Sequence, residues 1–123
     1  MCTLCNVPET NFHIFYFCSK VKSLYRFISE LCERVCGFKI SNHLSFIYFD
    51  IKTTKAKAEI CSIMLSTYLG IVWSCRNDGQ LNFKKAFIEK IQYNVKTIML
   101  CKQFRDMYKD LLIKLGNEIC SLT

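Results

Sequence analysis

The sequence predicts an all-α protein in which a small N-terminal cysteine/histidine unit packs on a body of three to four helices. Four glycines and one proline in 123 residues leave few turn residues for a many-stranded sheet fold. The length fits one domain, and a hydrophobic content of 51% is enough to build a core. We expect residues 1–18 to form the cysteine/histidine unit and residues 19–123 the helical body, together one compact domain.

The first helix of the body is predicted after residue 18. Ser19 is a plausible N-cap, and Gly37 stands where a left-handed glycine ends many helices. Between these two positions the apolar residues recur at helical spacing, which places them on one face. They are Val21, Leu24, Tyr25, Ile28, Leu31, Cys32 and Val35.

The second helix, residues 54–75, is the most apolar part of the chain and has no charged residue from position 60 to 75. That uncharged run is shorter than the ~20 residues that cross a bilayer, and serines, a threonine and a glycine interrupt it. We therefore favour the buried centre of a helical bundle over a membrane span. The turn residues from Arg76 to Gly79 then end this helix.

A third stretch, residues 82–115, carries an apolar stripe from Phe83 to Leu115, and Gly116 is expected to stop it. One unbroken helix of that length would extend about 50 Å at 1.5 Å per residue, so we expect a bend or a split. The apolar residues of the segment 38–54 do not recur with one clear period, so either a short helix or a brief extended segment fits them. We interpret them as a connector that packs on the body.

Charge and cysteine content narrow the function classes. The 17 Lys and Arg residues against 10 Asp and Glu residues give a net charge of +7, which attracts polyanions, nucleic acid first and membrane surfaces second. Nine cysteines cannot all pair within one chain, and the first eleven residues do not read as a signal peptide. We expect a reducing compartment, cytoplasm or nucleus, in which some of the cysteines bind metal.

The strongest motif is Cys2-x2-Cys5-x7-His13-x4-Cys18. Zn²⁺ prefers thiolate and imidazole ligands in a tetrahedron, and three cysteines with one histidine are a common structural set. Two cysteines separated by two residues can form a tight turn that aims both sulfurs at one point. The spacing therefore predicts a zinc knuckle with Cys2, Cys5, His13 and Cys18 as ligands.

The residues around the motif support a closed site. Thr10 or Asn11 can cap a short helix with His13 in its first turn, and Cys18 would complete the tetrahedron where that helix ends. Four filled positions leave no place for water, so the site would be structural rather than hydrolytic. Two alternatives remain: buried free cysteines beside a surface histidine, and a redox CxxC pair, which lacks the surrounding strand–helix pattern of thioredoxins.

The run CTLCNVPETNFHIFYFCSKVKSLYRFI resembles the zinc-binding (CCHC) segment near the C-terminus of non-LTR (LINE-type) retrotransposon reverse transcriptases. That family has a CxxC, an acidic-Thr element, a His in an apolar run, a Cys, and then a helix with a bulky aromatic. The stretch Ile71-Val72-Trp73-Ser74-Cys75-Arg76-Asn77 is similar to the family's recurrent Trp-x-x-Arg-Asn element. In this chain the positions that match the finger are Cys2, Cys5, Glu9, Thr10, His13, Cys18 and Tyr25.

The resemblance implies a segment that binds template RNA or target DNA beside a polymerase. The paired active-site aspartates of the polymerase and the endonuclease have no counterpart here, so no catalytic role is implied and the chain looks like a fragment or derivative of such a polyprotein. We expect a non-catalytic zinc protein that binds RNA or single-stranded DNA, with reverse transcriptase domains as further partners, and no membrane or small-molecule substrate. The alternative is a zinc-stapled helical module that binds another protein.

Several side chains are candidates for nucleic-acid contact. The basic flank of the finger could bind phosphates, although an ordinary solvated face fits equally well. Trp73 ends the most apolar helix and is expected to be a packing anchor. Cys32, Cys36, Cys61, Cys75 and Cys101 are expected in the core. The nucleic-acid candidates are Lys20, Lys22, Arg26, Phe15 and Arg76, of which Arg76 could instead cap its helix.

Overall fold

A computed structural model describes residues 5, 6, 8, 10, 13, 14, 18, 19, 21–37, 54–79 and 82–121. These residues form four helices and contain no strand, which confirms the all-α prediction. The connector predicted over residues 38–54 lies outside the described residues except for Thr54. The helices are α1 (Lys22–Cys36), α2 (Lys55–Asp78), α3 (Phe83–Met99) and α4 (Lys102–Ser121).

Helix α1 buries the predicted apolar face and ends where predicted. Gly37 takes φ 79°, a left-handed conformation that glycine adopts without strain, and its N–H donates to the Glu33 carbonyl. The predicted N-cap was wrong, because Val21 occupies that position and makes no side-chain cap. The Cys18 carbonyl instead accepts the Val21 and Lys22 N–H groups at 2.9 and 3.1 Å, so the preceding turn supplies the cap.

Helix α2 begins at a side-chain cap and ends at a glycine. The Thr54 hydroxyl accepts the Lys57 N–H, and Gly79 closes the helix at φ 72°. The buried positions recur every three or four residues along one side of α2, whereas Ser66, Gly70 and Ser74 are exposed on the other side. The helix passes the length and composition test for a membrane span, but its buried side packs against the rest of the bundle.

The last apolar stretch is split, as its length predicted. Helix α3 ends at Met99, α4 begins at Lys102, and α4 is kinked where Tyr108 departs from helical geometry. The prediction that Gly116 stops the helix was wrong, since α4 continues to Ser121. Ile119 is 1% exposed, and burying such a side chain contributes roughly 1.5–3 kcal/mol, more than the ~1 kcal/mol that a helical glycine costs.

Every pair of the four helices is in contact. The short connection between α2 and α3 makes them antiparallel neighbours, and the Asn94 side-chain amide donates a hydrogen bond to the Thr67 hydroxyl at 3.0 Å. On another side of the bundle, Arg34 of α1 forms an ion pair with Glu118 of α4 at 3.7 Å. The core between the helices is aliphatic, with Tyr68 and Phe87 as its largest fully buried side chains.

Two packing predictions were wrong. Trp73 was expected to anchor the core but is 52% exposed, because it lies on the solvent side of α2 together with Ser66 and Gly70. Cys101 was expected in the core but is exposed, because it lies in the break between α3 and α4. The other cysteines assigned to the core, at positions 32, 36, 61 and 75, are buried as predicted.

Candidate metal centre

Three predicted ligands converge at the N-terminal end of the bundle. The ligand atoms of Cys5, His13 and Cys18 all lie within 4.8 Å of one another. The Cys5 Sγ is 2.8 Å from His13 Nε2 and 3.8 Å from the Cys18 Sγ. Since these residues span thirteen positions of the chain, the fold itself brings them to one point. The arrangement can hold a metal ion.

The backbone between Thr10 and Cys18 explains how His13 meets Cys18. The Thr10 hydroxyl accepts the His13 N–H at 3.0 Å, and the Thr10 carbonyl accepts the Ile14 N–H at 2.9 Å. These two bonds confirm the predicted cap and place His13 in the first helical turn. The Cys18 N–H then donates to the His13 carbonyl at 2.8 Å, which is the i→i+5 bond of a π-turn.

The π-turn has a direct consequence for the site. In a regular α-helix, residues five apart point about 140° away from each other, since each residue turns the helix by about 100°. The wider π-turn brings the side chain of Cys18 back towards that of His13. Single π-turns occur frequently at functional sites. A prediction that assumes regular α-helix geometry would not bring the side chains of His13 and Cys18 together.

Cys5 reaches the site through a left-handed turn. Asn6 has φ 59°, and it is the one non-glycine residue with positive φ among the residues that the structure describes. Asparagine tolerates this conformation better than most residues, because its short polar side chain can form local hydrogen bonds. A left-handed residue directly after Cys5 fits the tight turn expected of a knuckle.

The site packs directly against the bundle. Ile14 and Cys18 are 7% and 1% exposed and belong to the same hydrophobic cluster as α1, while His13 is 8% exposed. The Cys18 carbonyl also accepts the first N–H groups of the turn that starts α1. A metal ion held by Cys18 would therefore be anchored to α1 through the backbone as well as through packing.

The fourth predicted ligand, Cys2, lies outside the described residues, as do two of the nucleic-acid candidates, Lys20 and Phe15. Lys22 and Arg26 are exposed and lie one turn apart on α1. Arg76 is partly buried near the end of α2, with its guanidinium carbon 5.9 Å from the centre of the Trp73 ring. The structure therefore places Arg76 beside an aromatic ring of its own helix.

The packing adds one cation that the sequence did not predict. The Lys84 Nζ of α3 lies 4.8 Å from the centre of the Phe27 ring, and Phe27 follows Arg26 directly in α1. Lys84 therefore lies against the side of α1 that carries Phe27, about 100° around the helix from Arg26. Only the contact of α1 with α3 reveals this, because the two residues are far apart in the sequence.

A second group of cysteines lies inside the bundle. The Cys61 Sγ is 3.6 Å from the Cys36 Sγ, and Cys32 lies against Met64. The hydrogen bond to Cys61, followed by burial, raises the pKa of Cys36 far above its ordinary value. The hydrogen bond to Cys32 and burial raise the pKa of Cys61 to about 12. These thiols stay protonated at neutral pH and behave as small core residues.

Comparison with family models, with curated proteins and with solved structures found no match to this chain. The geometry alone therefore defines the class: a small helical protein with an N-terminal cysteine/histidine centre that can hold a metal ion.

Proposed function

We propose that the chain is a non-catalytic zinc protein that binds RNA or single-stranded DNA through the finger and the adjacent face of α1. The observation that carries the proposal is the convergence of Cys5, His13 and Cys18 directly beside the basic residues Lys22 and Arg26. In this proposal the metal stabilises the fold and positions α1, and the cations of α1 bind phosphates.

The donor set fits zinc. Tetrahedral zinc with zinc–sulfur distances of about 2.3 Å holds two sulfurs about 3.8 Å apart. The Cys5 and Cys18 sulfurs are 3.8 Å apart. The nitrogen of His13 must move outward from 2.8 Å to roughly 3.5 Å from the Cys5 sulfur to share the same ion. We assign Cys2 as the fourth ligand, because its CxxC spacing with Cys5 is the usual one for zinc.

The charge distribution supports nucleic acid as the partner. The chain carries a net charge of +7, Lys22 and Arg26 are exposed one turn apart on α1, and Lys84 of α3 approaches Phe27 of α1. Phosphate contacts of this kind supply most of the non-specific affinity for nucleic acid. The resemblance of the finger to the zinc segment of LINE-type reverse transcriptases points the same way, and we propose a fragment or derivative of such a polyprotein, acting inside the cell.

Metal content tests the first half of the proposal. The purified full-length chain should contain about one zinc per molecule, and Cys5→Ser or His13→Ala should remove it. Both changes should also lower the melting temperature, because a bound structural metal contributes directly to folding. Cys101→Ser is the matched control, since Cys101 is exposed and far from the site in sequence. A stable chain that binds no zinc would overturn the assignment.

Fluorescence anisotropy with labelled RNA, single-stranded DNA and duplex DNA tests the second half. The affinity for single strands should fall steeply with salt, since counterions are released from the phosphates. The double variant Lys22→Ala/Arg26→Ala should make the plot of log affinity against log salt shallower by about 1.4. The control variant Lys109→Ala/Lys114→Ala removes the same charge from α4 and should change this slope less. Salt-independent binding, or equal effects of both pairs, would contradict the proposal.

A second candidate function is a protein-interaction module, and one observation favours it. Leu100, Met107 and Ile113 are 85%, 63% and 43% exposed in and just before α4. The basic residues do not share one face either, because Lys84 contacts Phe27 on α1 whereas Lys90 contacts Tyr93. Sedimentation of the zinc-loaded chain and of its Met107→Lys variant would show whether the chain self-associates through exposed apolar residues such as Met107.

A further inference from the structure

Four sulfur atoms meet in the core where α1 packs on α2. The Cys36 Sγ lies 3.6 Å from the Cys61 Sγ, and the Cys32 Sγ lies 4.0 Å from the Met64 Sδ. A hydrogen bond between Cys61 and Cys32 joins the two pairs into one group. These four residues form the sulfur cluster, and none of them belongs to the N-terminal metal centre.

Helical spacing places the four sulfurs on facing sides of the two helices. Cys32 and Cys36 are four residues apart on α1, and Cys61 and Met64 are three residues apart on α2, so each pair lies on one face of its helix. The two contacts also show that α1 and α2 run antiparallel here. Metal sites in helical bundles are built in this way, from pairs of side chains on facing helices.

The chemical nature of the donors indicates which metal the sulfur cluster would prefer. The N-terminal centre includes an imidazole and suits zinc, whereas the sulfur cluster combines thiols with the thioether of Met64. Soft thiolate and thioether ligands select Cu⁺. All four residues are at most 2% exposed, so water does not compete for the ion.

The distance between the Cys36 and Cys61 sulfurs fits one shared ion. With metal–sulfur bonds of about 2.3 Å, two ligand sulfurs are about 3.8 Å apart at a tetrahedral angle and about 4.6 Å apart in a linear complex. The two sulfurs must therefore separate from 3.6 Å by only about 0.2–1 Å. Such a shift is small for side chains that can rotate.

The surroundings can offset the charge of the complex. Without a metal the thiols are protonated, and a bound ion replaces their protons. Two thiolates with one Cu⁺ ion leave a single negative charge, and the ammonium groups of Lys57 and Lys114 are close enough to favour the Cys36 thiolate. Cys36 is also the last residue of α1, where the helix dipole favours a cation and the path from solvent is short.

The geometry points to a second metal site: the thiolates of Cys36 and Cys61 bind one Cu⁺ ion between α1 and α2. Cys32 and Met64 supply further sulfur donors beside it. Binding breaks two S–H bonds, forms two copper–sulfur bonds and releases two protons, and the oxidation state of copper and sulfur does not change. Since the ion joins two helices of the folded state, it should raise the melting temperature.

The test is an anaerobic titration of the zinc-loaded full-length chain with Cu⁺, in competition with the chelator bathocuproine disulfonate. Exposed thiols also bind copper, so Cys101→Ser/Cys120→Ser is the starting protein. It should take up about one copper per chain and keep its zinc. Cys36→Ala and Cys61→Ala should each lose the copper and keep the zinc. Cys75→Ala, which removes another buried thiol about 21 Å from Cys61 along α2, should keep both metals.

X-ray absorption at the copper edge gives a measurement that needs no cysteine variant and does not depend on how such variants fold. The ligand shell of the bound copper should contain sulfur alone. An imidazole nitrogen in that shell would place the copper at Cys5, His13 and Cys18 and would overturn the inference. Met64→Leu keeps the side-chain volume, so it should leave the stoichiometry unchanged and shift the competition towards the chelator.

Zinc and copper contents, measured on the same sample, separate this inference from the proposed function. Zinc without copper would overturn the second site alone, and copper without zinc would overturn the zinc assignment alone. Copper binding that survives in both Cys36→Ala and Cys61→Ala would contradict the inference. A second zinc that is lost in Cys61→Ala would show that the sulfur cluster prefers zinc, and the assignment to Cu⁺ would be wrong.

Discussion

The sulfurs of Cys5 and Cys18 lie 3.8 Å apart, close enough to bind one ion, although thirteen positions separate the two residues. Neither a helix nor a single turn can join them across that interval. Between them, Asn6 takes a left-handed conformation, and the Cys18 N–H closes a π-turn on the His13 carbonyl.

Alkylation should divide the cysteines into three groups, of which the buried core thiols at positions 32, 36, 61 and 75 should react last. Cys101 and Cys120 are exposed and should react with iodoacetamide first. Cys5 and Cys18 should be protected by zinc and should react after EDTA is added, because the metal-bound thiolates become available. Mass spectrometry at timed intervals measures the extent of alkylation at each cysteine. Equal rates for Cys5 with and without EDTA would argue against a metal at this position.

The folded protein should lose stability at high pH, because its buried thiols are then driven to ionise. Folding raises the pKa of Cys61 from 9.0 to about 12, so the protonated form is favoured in the folded state. The stabilisation is complete below pH 9.0 and is lost as the pH rises towards 12. The melting temperature should fall across that interval. Lysines and tyrosines in general also titrate in this pH range, so Cys61→Ala is the reference. The melting temperature of this variant should fall less steeply with pH. If the melting temperatures of both proteins fall in parallel as the pH rises, the prediction is wrong.

The hydrogen bond between Asn94 and Thr67 should be important for the pairing of α2 and α3. Thr67→Val keeps the shape but removes the hydroxyl, which both accepts from Asn94 and donates to the Ile63 carbonyl at 2.8 Å. Because Thr67 is 6% exposed, we expect a loss of about 1–3 kcal/mol in the free energy of unfolding by urea. Ser66→Ala, at the exposed neighbouring position, should change it by less than about 0.5 kcal/mol. An equal effect of both substitutions would contradict this role.

Two glycines should respond in opposite directions to alanine. Gly116 lies within α4, and a Cβ there would meet no atom within 4 Å, so Gly116→Ala should stabilise the protein by about 0.5–1 kcal/mol. Gly79 has φ 72° at the end of α2, where an added Cβ is strained, so Gly79→Ala should destabilise it. Urea unfolding measures both. A stabilising Gly79→Ala would show that this helix end does not need its left-handed residue.

The sequence by itself determined the helical class, most helix limits and three residues of the candidate metal centre. The apolar spacing of α1, the starts of α2 and α3 near residues 54 and 82, and the ends at Gly37 and Gly79 are local properties, readable without the fold. The ligands Cys5, His13 and Cys18 were found because zinc chemistry restricts both residue type and spacing.

Only the tertiary structure decided which side chains were covered and which surfaces were formed. Gly116 failed to stop α4 because Ile119 gains burial against the bundle, and Trp73 is exposed because the other side of α2 meets its neighbours. The approach of Lys84 to Phe27 and the contact of Cys36 with Cys61 both join residues distant in sequence. Local propensity carries no information on such contacts, since they depend on how the helices pack.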